Sequence, residues 1–128
     1  MSAHSKSFHD YARILLAIIR LLNGALALFT PTVLAQRLGG DVNSNRAALY
    51  VLRLFGVRTI VVGVELLVPD ETVRGEALRY AIPIHASDTI SAVLAGAQGH
   101  LPMRASIMLA AISGLNTLLA ILAQPSWR

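Results

Sequence analysis

The sequence predicts an all-α protein: a four-transmembrane-helix bundle with a short interfacial helix after the first span. Three observations carry that prediction. The 128 residues are 55% hydrophobic and 14% charged, with a mean hydropathy of +0.60, whereas ordinary soluble domains carry about 25% charged residues. The chain also divides into four apolar stretches near the roughly 20 residues that cross a bilayer, joined by short polar turns. Finally, segments 54–67 and 107–122 hold too few polar residues to give a helix the continuous water-facing side that a soluble bundle needs. Residues 1–128 read as a single integral membrane domain.

Taken in order, residues 1–10 form a polar tail. The first span is 11–29, interrupted by Arg20 and Asn23. A cleaved secretory signal is the competing reading here, with Lys6 before the apolar run and Ala25-Leu26-Ala27 as the cleavage site. Arg20 breaks the apolar core that such a signal requires. Thr30-Pro31 then offers an N-cap and a proline at the first helical position, and Gly39-Gly40 a stop, so 31–38 predicts the interfacial helix. Asn43-Ser44-Asn45 is expected to cap the second span, 46–68, which Pro69-Asp70 ends. The third span, 72–98, contains Pro83, a kink that neighbouring helices accommodate. Gly99 to Pro102 turns the chain into the fourth span, 103–123. Trp127 and Arg128 follow as an interfacial anchor.

The charge pattern narrows the function classes. No cysteine is present, which excludes disulfides, thiolate metal sites and thiol chemistry by this chain. The net charge is +4 and ten of the eleven basic residues are arginine. Several of these arginines interrupt apolar runs rather than forming a basic polar patch, so nucleic acid is set aside. With four spans, Lys6, Arg13, Arg74, Arg79 and Arg128 fall on one side, and Arg37, Arg46 and Arg104 on the other. That excess places both termini in the cytoplasm of a multi-pass cell-membrane protein.

The residues that draw attention are charged and lie deep within the spans. Arg58 and Asp88 stand near the middle of the second and third spans, where a charge costs roughly 2.5–3.5 kcal/mol on insertion scales and needs a partner, a wet cavity or a task. Arg20 lies at similar depth. The antiparallel run of the two spans suggests an Arg58–Asp88 ion pair, and Glu65 near the Pro69 turn suggests a pair with Arg79 or Arg13. Arg20, Arg53 and Arg58 outnumber Glu65 and Asp88. One cation is therefore left to snorkel, to meet a lipid phosphate or to meet an anionic ligand. His85 and Asp88, three residues apart, have ligand-like spacing, but two candidates make no metal site, and a histidine hydrogen-bonded beside a carboxylate is the better account. Small residues at four-residue spacing (Ser87, Ser91, Ala95, Gly99 and Ser106, Ala110, Gly114) predict close packing of the third span on the fourth. No catalytic constellation and no phosphate-cradling glycine loop is present, which leans against an enzyme.

The run Arg-Leu-Leu-Asn-Gly (20–24), a later Leu-Gly-Gly stop, Arg-Leu-Phe-Gly-Val-Arg-Thr (53–59) and Ser-Asp-Thr (87–89) resembles the small four-helix membrane proteins related to the DoxX-like group. The resemblance covers most of the chain through short motifs. It implies a four-helix transmembrane bundle, and a role among accessory or quinone-linked redox components.

Two functional expectations follow. One is an accessory or scaffold subunit of a membrane complex, with the lipid bilayer and a membrane-protein partner or second copy as its contacts and no cofactor of its own. The other is a quinone- or lipid-binding redox or transfer protein whose intramembrane cavity is lined by Arg20, Arg58, His85 and Asp88.

Overall fold

Local sequence signals set the helix boundaries in the computed structural model, which describes residues 8–41 and 43–124. Five α-helices follow in order: α1 (Phe8–Phe29), α2 (Pro31–Arg37), α3 (Ala47–Glu65), α4 (Glu71–Ala97) and α5 (Met103–Leu122). The polar stretch before Phe8 and the expected anchor at Trp127 and Arg128 lie outside the described residues.

Glycine ends two of the helices through its freedom at positive φ. Gly39 (φ 84°) and Gly99 (φ 77°) adopt the left-handed conformation. After α2, Gly40 N–H reaches Ala35 O at 2.9 Å and Gly39 N–H reaches Gln36 O at 3.0 Å. After α4, His100 N–H reaches Ala95 O at 2.8 Å and Gly99 N–H reaches Gly96 O at 3.2 Å. Both are Schellman closures, which satisfy carbonyls that a helix end leaves open. At the start of α4, Asp70 accepts from Thr72 N–H at 2.8 Å and Val73 N–H at 3.3 Å, a side-chain cap.

Two expected caps differ. Thr30 stands at the N-cap of α2 before Pro31, but its hydroxyl turns back to Leu26 O at 2.7 Å. The Asn43-Ser44-Asn45 segment does not cap α3 with a side chain. Asp41 organises that loop instead, accepting from Asn43 N–H at 3.0 Å on its carboxylate and from Ser44 Oγ at 3.1 Å on its carbonyl. An acceptor two or three residues upstream reaches those donors before the helix begins.

Three of the helices, α1, α3 and α5, are long and apolar enough to cross a membrane. Their packing has small residues inside and large ones outside. Ala12, Ala17, Ala77, Ala81 and Ala120 fill the interior, and among the described residues only Leu16 and Leu66 are large side chains buried completely. Leu22, Val61, Ile90, Ile107 and Leu118 face outwards. Water penalises such an exterior, whereas hydrocarbon tolerates it and rewards close approach of backbones.

The helices form two packed pairs, α1 on α3 and α4 on α5, held together by α1 against α5. Contact between α3 and α4 is sparse. Ser106 on α5 donates to Ala92 O on α4 at 2.7 Å and sits against Gly96. This close packing matches the expectation, but in a different register. Ala92 and Gly96 of α4 meet Ser106, while Ser87 and Ser91 are exposed. A four-residue spacing fixes a face of one helix but not which of two small-residue faces meets the neighbour.

The buried cluster gathers where α1 and α4 begin and α3 and α5 end. Side chains also tie that end to backbone carbonyls. His9 Nδ1 donates to Leu122 O at 2.6 Å, Arg13 to Leu66 O at 2.5 Å, and Gln124 to Leu78 O at 2.9 Å. Away from it the two pairs leave a cavity.

Candidate functional site

The cavity encloses about 710 Å³ and is lined by all five helices. Its deep end holds Arg20 of α1, Val62 of α3, His85 of α4 and Asn116 of α5. Its outer end holds Leu26, Leu34, Arg37, Phe55 and Met108. The volume falls within the roughly 300–1,000 Å³ of small-molecule sites, which are mostly apolar with a few convergent polar groups.

Arg20 is positioned by the packing of α1 itself. It shares the interior stripe with Leu16, Ala17, Gly24 and Ala27 and is only 4% exposed. Its Nη1 donates to His85 Nε2. Arginine is donor-only, so Nε2 accepts and the imidazole, when neutral, carries its proton on Nδ1. That Nδ1 stands 3.8 Å from Asp88 Oδ2, beyond hydrogen-bond reach. Arginine, imidazole and carboxylate thus lie in series on one side of the cavity.

The remaining polar groups are left open. Arg20 Nε and Asn116 Oδ1 are buried with no hydrogen-bond partner, and Asn116 is 4% exposed. Thr59 is buried on the cavity wall, and Asn23 and Ser113 line it. Among the described residues, the side chains of Asn23, Arg58, Thr59, Ser113 and Asn116 make no hydrogen bond within the protein. Elsewhere, Thr89, Ser106, Thr117 and Gln124 all return to backbone carbonyls. Buried polar groups normally find a partner, and leaving one unmade costs about 1–3 kcal/mol. The exceptions are concentrated at one cavity.

Arg20, Arg58, His85 and Asp88, the four candidate ligand-binding residues, all line this cavity. The structure does not join Arg58 to Asp88. Arg58 is exposed and makes no ion pair among the described residues, and Asp88 lies beside His85 instead. The expected pair assumed that consecutive helices face each other closely, whereas α3 and α4 meet only sparsely. Nor does Glu65 pair with Arg79, which is exposed; Arg13 bonds Asp10 at 3.4 Å and the Leu66 carbonyl. Arg53 is also exposed and does not line the cavity. Sequence reading passed over Thr59 and Asn116. The available signal was an amide within an otherwise apolar stretch of α5. Among the described residues the cavity's formal charges are Arg20, Arg37 and Arg58 against Asp88 alone.

No protein-family model matches the chain, and neither a curated protein nor a solved structure is significantly similar to it.

Proposed function

We propose that this chain is a four-crossing integral membrane protein that holds a polar-headed amphiphile, a quinone or a lipid, in the cavity between its two helix pairs. The observation that carries the reading is the set of unpartnered polar groups around the cavity, led by Arg20 Nε and Asn116 Oδ1. A bundle that used its charges only to lock helices together would satisfy them against one another.

The fourth crossing is α4. Its 27 residues span about 40 Å at 1.5 Å per residue, longer than the roughly 30 Å hydrocarbon layer. Glu71, Arg74, Glu76 and Arg79 crowd its first turns, where they reach the headgroup region. Of the polar residues further along, His85 and Asp88 line the cavity. Both termini then lie on the cytoplasmic side, with α2 along the opposite interface. Kinship with the DoxX-like group belongs to the same proposal. Arg20 and Asn23 of the first shared motif, Arg58 and Thr59 of the second and Asp88 of the third all line the cavity.

Native mass spectrometry of the protein extracted in mild detergent tests the reading. An amphiphile adduct on the wild type, lost in Arg58→Gln while the melting temperature holds, supports it. A bare wild-type chain refutes it. A co-purifying membrane protein in place of the adduct supports the accessory-subunit reading.

A further inference from the structure

Resting on that reading of the cavity, we infer that the head group it takes is an oxyanion, a carboxylate or phosphate carried on a single acyl chain. The polar lining is rich in cations and donors. Arg37 stands at the outer end, Arg58 on the α3 wall and Arg20 at the deep end, each a fixed cation that only donates. Among the described residues Asp88 is the one acidic side chain on the lining, and its Oδ2 lies 3.8 Å from His85 Nδ1.

His85 occupies one Nη of Arg20 and leaves Nε–H unpartnered. The side edge of a guanidinium, Nε with the second Nη, matches the two oxygens of a carboxylate or phosphate. The Thr59 hydroxyl adds a donor at that depth; the Asn116 amide, whose Oδ1 is the unpartnered atom as it stands, adds its NH2 once turned over. A neutral quinone carbonyl or an alcohol accepts from one such donor and leaves the others, and the surplus cations, unanswered.

Size fixes the rest of the ligand. At roughly 30 Å³ for each water-sized group, 710 Å³ takes about two dozen such groups, one long acyl chain with its head and well short of a two-chain lipid. Sparse contact between α3 and α4 gives the ligand its way in from surrounding hydrocarbon. The head lies at the deep end and the chain fills the rest of the cavity.

The test uses the full-length protein in phosphatidylcholine nanodiscs, with empty nanodiscs as the partition control. Dansyl-undecanoate is the probe, and oleate, dodecyl phosphate, oleyl alcohol and decylubiquinone are the competitors. Oleate or dodecyl phosphate should displace the probe at least about tenfold more effectively than the alcohol or the quinone, a difference of about 1.4 kcal/mol. Whichever acid is the stronger identifies the head group. Arg58→Gln, which removes an exposed cation with no hydrogen bond to lose, should weaken the acids several-fold more than the alcohol. Arg20→Lys should do the same where its melting temperature is kept. Displacement by alcohol or quinone as effective as by the acids overturns the oxyanion while leaving the amphiphile site intact. Protein that retains no probe above empty nanodiscs, and binds none of the four competitors, overturns both.

Discussion

Gly56 of α3 lies directly against the backbone of α1 at Gly24. A Cβ on Gly56 would stand 2.7 Å from the Gly24 carbonyl oxygen and 2.7 Å from the Leu28 nitrogen. Backbone atoms cannot rotate aside as a side chain does, so the helices must separate to admit even a methyl group. Gly56→Ala should destabilise the protein by about 1–3 kcal/mol, seen as a lower melting temperature in detergent. Gly114 supplies the control, since an added Cβ there meets nothing within 4 Å. Gly114→Ala should be neutral or stabilising by up to about 1 kcal/mol, because alanine is the better helix former.

The imidazole of His85 is the only acceptor that the described residues offer to the buried Arg20. His85→Ala should cost about 1.5–3 kcal/mol, the range for hydrogen bonds to charged groups. His85→Gln, which keeps an acceptor, should cost less. Equal melting temperatures for the two variants would mean that the Arg20 contact contributes little to the fold.

Gln124 bridges the end of α5 to Leu78 O on α4 at 2.9 Å and to Ala120 O on its own helix at 3.0 Å. Gln124→Leu keeps the volume and removes the bridge. Side-chain hydrogen bonds between helices in bilayers average about 0.6 and reach about 1.7 kcal/mol, so the loss should fall in that interval by thermal or denaturant unfolding.

The chain's lack of cysteine makes it a clean background for mapping sidedness. If α4 crosses the bilayer, Asn43→Cys and His100→Cys should react with an impermeant maleimide added to intact cells. Glu71→Cys should react only after permeabilisation. Glu71→Cys and His100→Cys behaving alike, and opposite to Asn43→Cys, would remove the fourth crossing. Labelling of Glu71→Cys from outside, with Asn43→Cys and His100→Cys reacting only after permeabilisation, would keep it and invert the chain.

Most helix boundaries were legible because their causes are local, although α1 begins three residues before the expected 11 and α3 ends three residues before the expected 68. Expected limits of 31–38, 72–98 and 103–123 lie within a residue of α2, α4 and α5, since Pro31, Asp70, Gly39 and Gly99 act on neighbours only a few positions away. The polar faces of α1, α3 and α4 were legible in part: Arg20, Arg58, His85 and Asp88 line one cavity, whereas the small-residue face by which α4 meets α5 was not the expected one. The order of helices around the bundle was not. Periodicity describes one helix at a time, and the packing of α1 on α3 and α4 on α5 depends on contacts such as Gly24 with Gly56 and Ser106 with Gly96. Arg58 consequently kept its cavity and lost its expected partner. The open amide of Asn116 became visible only once its surroundings were known.

Cohesion in this bundle is gathered at one end. Leu16, Leu66, Leu78 and Leu119 pack there, and His9, Arg13 and Gln124 bind carbonyls of neighbouring helices or turns. At the opposite end the pairs also touch, where the Gly39 turn after α2 stands against Pro102 before α5. Local opening in proteins follows the lines of least buried contact, which here run between α3 and α4. That line of sparse contact runs beside the cavity, so opening along it would change the cavity's width while the packed end holds.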